Sequence, residues 1–233
     1  MNLIDNKKYT ILIILLIIFL IIIIYYKNDE KQINKLKEIY FIRHGETEFN
    51  RKGLIQGALN DVQLNENGKK QSLNAGKYLK EQHTKGEKYF DLILTSPMIR
   101  CIETAEIIGR EIGYKGEIII LPELITTNFG KLNGKSYNEL NDNKKINNLN
   151  EKYGIETKES IKSRIKKVIN LIEKINYKKI LVVSHGYTIQ EINSYLANIN
   201  ISKDDFNEYI KNCEISYYVY KNNKFNFLEF IKI

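Results

Sequence analysis

Short apolar runs alternate with amphipathic stretches over most of the chain. Four runs without a polar break are predicted as buried strands: Glu38–Ile42, Leu92–Thr95, Glu117–Leu121 and Lys179–Val183. Continuous apolar runs of this length are typical of strands covered on both faces, as in a parallel sheet. Between them, apolar residues recur at helical spacing, as over residues 158–175. The alternation predicts an α/β fold, a three-layer sandwich in which helices flank a mostly parallel central sheet.

Residues with capping and turn preferences mark the ends of several elements. Asn65 is expected to cap the helix that follows it, and Ser96-Pro97 reads as an N-cap followed by the first helical position. Near the carboxyl terminus, Ile215–Tyr220 and Phe225–Ile231 are predicted as two strands joined at Asn222-Asn223. The residues from 38 to 233 therefore form one domain, with no internal repeat.

The amino-terminal residues follow a different pattern. Ile11–Ile24 is apolar without exception, and tyrosines and a threonine extend the run to eighteen residues, 9–26. As a helix this run would be about 27 Å long, close to the roughly 30 Å of a bilayer core. The pattern predicts a transmembrane helix over 9–26, between a short polar start, 1–8, and a linker, 27–37. A cleaved signal peptide is the alternative, but no small-x-small cleavage site follows.

The lysines around this apolar run suggest an orientation. Lys7 and Lys8 precede the run, whereas Lys27, Lys31, Lys35 and Lys37 follow it closely. Positive charge accumulates on the cytoplasmic side of membrane spans. The sequence thus predicts a single-pass membrane protein with its main domain on the cytosolic side.

Charge and cysteine content exclude some classes of protein. The net charge is +8, but the lysines are scattered among acidic residues without a dense basic block, which argues against nucleic-acid binding. Cys101 and Cys213 have neither metal-ligand spacing nor the pattern of a disulfide framework, and each is expected to be a small core residue. No metal or other cofactor is predicted.

Polar residues collect at the ends of three predicted strands. Arg43 and His44 follow the first strand, His185 follows the fourth, and Arg100 lies in the first turn of the helix after the second. Each histidine directly precedes a glycine. The carboxyl ends of parallel strands meet at one edge of a sheet, where α/β proteins bind ligands. Because the chain otherwise prefers lysine to arginine, Arg43 and Arg100 indicate a need for the planar, bidentate guanidinium group, as in phosphate recognition.

Four motifs along residues 38–221 carry a resemblance to a known family. They are Ile42-Arg43-His44-Gly45-Glu46-Thr47 with Asn50, Ser96 to Ala105, Phe129-Gly130 with Gly134, and Val183-Ser184-His185-Gly186. In this order and spacing they resemble the histidine phosphatase superfamily, in its phosphoglycerate-mutase-like branch. The segment around Gln56-Gly57 is similar to the one that follows the family's signature.

The resemblance implies a mechanism and a role for each of these residues. His44 would attack phosphorus and carry a phosphohistidine intermediate, which water then hydrolyses. The transferred group would be neutralised and oriented by the remaining residues. These are Arg43, Arg100 and His185 as catalytic groups, and Asn50, Gln56 and Gly57 as substrate-binding groups.

One position departs from the family's pattern. The glutamate that acts as general acid in the family stands four residues before the glycine of Phe129-Gly130, and here that residue is Thr126. Threonine cannot supply a proton as a carboxylic acid does. Glu123 is therefore predicted as a catalytic residue that takes the role after a local shift of the loop. The alternatives are a substrate with a good leaving group, or a weakly active or inactive phosphate-binding module.

The length of the lid favours hydrolysis over mutase chemistry. In the family, mutases use a sizeable insertion to exclude water, and here only about twenty residues separate Gly134 from Gly154. The resemblance thus implies a membrane-anchored, metal-independent phosphatase acting on a phosphorylated small molecule or a phosphoprotein. A phosphoglycerate-mutase-type phosphotransferase remains the alternative enzyme.

Overall fold

The computed structural model describes residues 14, 16–23, 36–82, 89–139, 149–197 and 210–233. Within them the chain builds one six-stranded sheet, whose spatial order is β3-β2-β4-β1-β5-β6. The strands are β1 (Lys37–Arg43), β2 (Leu92–Thr95), β3 (Ile118–Ile120), β4 (Lys179–Ser184), β5 (Ile215–Lys221) and β6 (Lys224–Ile231). The predicted strands are thus confirmed, with small differences at their ends.

Helices occupy the connections between the strands. They are α1 (Glu48–Arg51), α2 (Glu66–Glu81), α3 (Ile99–Glu111), α4 (Leu149–Tyr153), α5 (Lys158–Lys174) and α6 (Gly186–Ala197), with short 3-10 turns at Pro122–Leu124 and Gly130–Leu132. The side chain of Asn65 accepts a hydrogen bond from Gly68 N and caps α2, as predicted. Thr157 caps α5 in the same way, through Ser160 N.

The alternation of side chains along β1 divides the core into two layers. Ile39 and Phe41 point to the face covered by α5 and α6, where they pack in one cluster with apolar residues of both helices. Tyr40 and Ile42 point to the opposite face, into a second cluster with apolar residues of α2 and α3. Helices therefore cover both faces of the sheet, which explains why β1, β2 and β4 carry uninterrupted apolar runs in their middle positions.

The sheet is mixed, and the prediction of a mostly parallel sheet needs correction. β1, β2, β3 and β4 are parallel to their neighbours, but β5 runs antiparallel to β1 and β6 runs antiparallel to β5. A tight turn at Asn222 and Asn223 forces the antiparallel pairing. Both residues have positive φ angles, 55° and 59°, which suit a two-residue hairpin. Two strands joined this closely cannot be parallel, because a parallel pair needs a long crossover.

The transmembrane prediction for residues 9–26 is wrong. Of this range the structure describes residue 14 and residues 16–23, and the latter are helical. No helix in the described ranges has both the length and the apolar composition needed to cross a membrane. Without this span, the predictions of a single-pass membrane protein and of a cytosolic orientation are also wrong. Residues 27–35 of the predicted linker lie outside the described ranges.

Candidate active site

Strand pairing brings the two candidate histidines together. β1 and β4 are parallel neighbours in a register that places Arg43 beside Ser184, the last residue of each strand. His44 and His185 follow directly, and His44 N donates a hydrogen bond to Ser184 O at 2.9 Å. The two imidazole rings lie 5.2 Å apart between centroids, at an angle of 66°. Two residues separated by 141 positions in sequence thus share one edge of the sheet.

The hydrogen bond of His44 fixes which ring nitrogen carries the proton. Its Nδ1 lies 2.7 Å from the carbonyl oxygen of Gly45. A carbonyl can only accept, so Nδ1 carries the proton and Nε2 keeps its lone pair. Burial, followed by the charges of Arg100 and Arg43, holds the pKa of His44 well below its ordinary value. The ring is therefore neutral at neutral pH, the form required for attack on phosphorus.

Backbone carbonyls aim the two arginines. Arg43 Nη1 donates to Ile210 O at 2.8 Å. Arg100 is almost fully buried, and it donates from Nη1 to Asn60 O at 3.1 Å and from Nη2 to Gly57 O at 3.4 Å. Arg100 Nε is buried and has no hydrogen-bond partner in the part of the chain that the structure describes. The group thus retains donor capacity for an anion, and a buried cation needs such a partner.

Ser96 orients the second histidine. Its Oγ forms a 2.8 Å hydrogen bond with Nε2 of His185, and Cys101 Sγ lies 3.5 Å from the same nitrogen. Burial and then the charge of Arg100 lower the pKa of His185 well below its ordinary value. The prediction of Ser96 as a helix N-cap is wrong: α3 begins at Ile99 and has no side-chain cap. Both cysteines are free and buried, as predicted.

Two glycines pack the loop after β1 against the start of α2. A Cβ atom added to Gly45 would overlap the carbonyl oxygen of Gly68, and one added to Gly68 would overlap the backbone of Glu46. Neither position accommodates a side chain, so both glycines are required for the close approach of the two segments. This contact holds the loop that carries His44 against the start of α2.

Asn50 is fixed by a reciprocal cap at the start of α1. Thr47 N donates to Asn50 Oδ1, and Asn50 N donates to Thr47 Oγ1, each at 3.2 Å. Asn212 Nδ2 also reaches Asn50 Oδ1 at 3.4 Å, and it donates to His44 O at 2.8 Å. Since Oδ1 is engaged as the acceptor, Nδ2 of Asn50 is the atom that can donate to a ligand.

These residues surround a cavity of about 650 Å³. It is lined by Arg43, His44, Glu46, Asn50, Gly53, Gln56, Gly57, Arg100, Thr126, Phe129, Tyr137, His185, Tyr187, Gln190, Lys211 and Asn212. The structure therefore brings together every predicted site residue except Glu123. Glu123 lies in the 3-10 turn Pro122–Leu124, outside the lining, while Thr126 is part of it. Residues 140–148 of the predicted lid lie outside the described ranges.

Sequence reasoning missed several lining residues. Tyr187 and Gln190 lie three positions apart in the first turns of α6, so they share one face of the helix that begins directly after His185, and this spacing could have indicated them. Lys211 and Asn212 precede β5 and carry no local signal. Only the pairing of β5 with β1 brings them to the cavity. Among the described residues, no three histidine, cysteine or acidic side chains cluster as a metal site would require.

The comparison with known families matches this geometry. A model of the histidine phosphatase superfamily, branch 1, matches residues 39–232. The chain belongs to this superfamily. The match covers the six strands, apart from the first two residues of β1, and every residue that lines the cavity.

Individual relatives include both phosphatases and mutases. A Hydrogenobacter thermophilus protein with a provisional assignment as phosphoserine phosphatase 2 is 30% identical over 71% of this chain and 81% of its own. A 2,3-bisphosphoglycerate-dependent phosphoglycerate mutase of Neisseria meningitidis is 36% identical over 51% of this chain and 47% of its own. The solved phosphoserine phosphatase of Entamoeba histolytica, in complex with 3-phosphoglyceric acid, is 26% identical with a TM-score of 0.64, over 84% and 98% of the two chains.

Proposed function

We propose that this histidine phosphatase hydrolyses phosphate monoesters through a phosphohistidine intermediate on His44. The observation that supports this most directly is the hydrogen bond from His44 Nδ1 to Gly45 O, which leaves Nε2 unprotonated inside the cavity. A neutral imidazole beside two guanidinium groups supplies what phosphoryl transfer requires. The imidazole is the nucleophile, and the guanidinium groups neutralise the charge on the phosphoryl oxygens.

The reaction would take two steps at one site. His44 Nε2 attacks phosphorus while Arg43, Arg100 and Asn50 hold the phosphoryl oxygens, and the ester oxygen departs. Water then attacks the phosphohistidine, and inorganic phosphate leaves. Because phosphoryl transfer depends mainly on positioning and charge neutralisation, the buried and backbone-anchored arginines are suited to both steps.

Hydrolysis is preferred here to phosphoglycerate isomerisation. A mutase must keep water away while the phosphorylated intermediate turns over. The segment between Gly134 and Gly154 is short for that purpose. Relatives named as phosphoserine phosphatases support hydrolysis of small phosphorylated molecules, and relatives named as phosphoglycerate mutases make isomerisation the alternative to test.

The test uses the purified full chain and its His44→Asn variant. With para-nitrophenyl phosphate, the wild type should release nitrophenol and show an acid-labile, base-stable phosphate on the protein after rapid quenching. The variant should lose both, with turnover down roughly 10⁴-fold or more, the scale seen when a covalent catalyst loses its nucleophile. Turnover that survives in the variant would contradict the mechanism. Interconversion of phosphoglycerates that outpaces phosphate release would instead make the protein a mutase.

A further inference from the structure

Among the residues that the structure describes, no carboxylic acid stands at the position on the cavity wall where the sequence pattern places the proton donor. Among the described lining residues Glu46 is the only carboxylate, and Thr126 occupies the position that the sequence pattern marks for the acid. The buried Thr126 carries a hydroxyl group, which is far too weak an acid to protonate a departing alkoxide in the way a carboxyl group does.

The backbone around Glu123 is held by bonds from three other elements. Arg164 Nη1 donates to Glu123 O at 3.1 Å and to Ile125 O at 2.7 Å. Ser184 Oγ donates to Leu124 O at 2.8 Å, and Thr188 Oγ1 donates to Ile125 O at 3.1 Å. A shift that carried Glu123 to the place of Thr126 would break these bonds inside a largely buried region. The structure therefore argues against Glu123 as a substitute acid.

Glu46 is engaged on the side of α2. Its Oε1 accepts a hydrogen bond from Asn65 Nδ2 at 2.8 Å. Its backbone is bonded to the same region, since Glu46 N donates to Gln71 Oε1 and Glu46 O accepts from Asn65 N. The carboxylate thus helps to anchor the loop after β1 to the cap of α2, a role separate from proton transfer.

The residues beside Thr126 form an aromatic wall, which we define as Phe129, Tyr137 and Tyr187. All three line the cavity. The rings of Phe129 and Tyr187 meet edge to face, with centroids 5.9 Å apart and an interplanar angle of 74°. Burial, followed by the charge of Glu191, raises the pKa of the Tyr187 hydroxyl to about 12. The wall offers ring faces and edges to a ligand, which favours aromatic groups.

From these two observations we infer that the enzyme acts on phosphate esters of aromatic hydroxyl groups in preference to alkyl phosphates. The inference rests on the proposed function. His44 Nε2 forms the bond to phosphorus as the P–O bond breaks, and the electron pair leaves on a phenolate, which takes its proton from solvent. Water then cleaves the N–P bond, so one aryl phosphate and one water yield a phenol and inorganic phosphate. A phenol is a much stronger acid than an alcohol, so its anion departs without a protein acid.

Phenyl phosphate and benzyl phosphate test this preference directly. They are similar in size and both aromatic, but only phenyl phosphate releases a phenol. The kcat/KM for phenyl phosphate should exceed that for benzyl phosphate by roughly a hundredfold or more, since general acid catalysis is worth about 10²–10⁴. Cyclohexyl phosphate should be no better than benzyl phosphate. Equal values for the phenyl and benzyl esters would overturn the inference, whichever residue donates the proton. Failure to hydrolyse any ester, or hydrolysis independent of His44, would instead overturn the proposed function.

Substitution of Thr126 provides the converse experiment. Thr126→Glu should raise kcat/KM for benzyl phosphate on the order of a hundredfold and change phenyl phosphate much less. The matched control, Thr126→Gln, has the same shape without the proton and should give no such rise. A rise with both variants would mean that the effect is steric. Glu46→Gln and Glu123→Gln test the two nearby carboxyl groups. If either variant hydrolysed benzyl phosphate roughly tenfold or more slowly than the wild type, that residue would be a working acid and the inference would be contradicted.

Discussion

The two ends of the cavity are built by different means. At the phosphate end, His44 and His185 extend directly from paired central strands, and Arg100 is anchored by two backbone carbonyls. At the leaving-group end, Thr126 belongs to a segment without regular structure between two 3-10 turns. That segment is held through its carbonyl groups by Arg164, Ser184 and Thr188.

Under the proposed function, the phosphate end therefore carries the attack on phosphorus, and the other end determines which leaving groups the site accepts. The register of β1 against β4 sets the positions of Arg43, His44 and His185, so these positions depend on the pairing of the central strands. The segment at the other end contributes side chains to the cavity but few to the sheet, and its side chains can change while its backbone stays in place. Loops on a rigid scaffold commonly carry such variation.

After replacement of His44 itself, the largest effect is expected at the phosphate end, from Arg100→Lys. Lysine keeps the charge but loses the planar fork that binds two carbonyls and an anion at once. We expect kcat/KM for aryl phosphates to fall roughly a hundredfold, the scale for loss of one preorganised donor. Arg110→Lys, at an exposed position on the same helix, is the matched control and should match the wild type. Equal activity of the two variants would mean that Arg100 serves only packing.

At the leaving-group end, substitution of Arg164 is expected to lower the stability of the fold while the transfer of phosphate to His44 continues. Arg164 donates to two carbonyls and pairs with Glu156, with side chains only 11% and 14% exposed. Arg164→Lys cannot make all of these bonds, so the free energy of unfolding should fall by about 1–3 kcal/mol. Denaturant unfolding measures this, again against Arg110→Lys. Formation of phosphohistidine from an aryl phosphate should persist in the folded variant, and its disappearance would show that the two ends are coupled.

The smallest expected effect is a pH dependence of the unfolding free energy, to which residues at the phosphate end contribute and Thr126 at the leaving-group end does not. The pKa values of His44 and His185 are lowered by burial and nearby arginines. Below about pH 6.5 the unfolded chain therefore binds more protons than the folded one, and stability falls as the pH drops, by up to about 1.4 kcal/mol per pH unit for each histidine. Unfolding in urea at a series of pH values measures the slope. His185→Gln should flatten it, while Thr126→Gln should leave it unchanged; an unchanged slope in His185→Gln would contradict a lowered pKa.

Local patterns were sufficient for some of these features and not for others. The apolar runs predict the strands, and the residues that follow them predict the phosphate end, because a strand's end and its next residue are set by a few neighbouring positions. Ser96 was assigned to the wrong role, since its partner is His185, 89 positions away. Glu123 was proposed from sequence proximity alone, and the contacts of Arg164 that hold its segment cross 41 positions.

By itself the sequence determined the α/β alternation, the superfamily and seven of the eight predicted site residues now found around one cavity. Only the tertiary structure decided that the sheet is mixed, because the antiparallel pairing of β5 with β1 brings the locally predicted hairpin of β5 and β6 into the otherwise parallel sheet. It also decided that the apolar start of the chain contains no described helix long enough for a membrane. Finally, it placed Thr126, the aromatic wall and Asn212 at the cavity. Those positions depend on contacts between distant segments, which a local pattern does not encode.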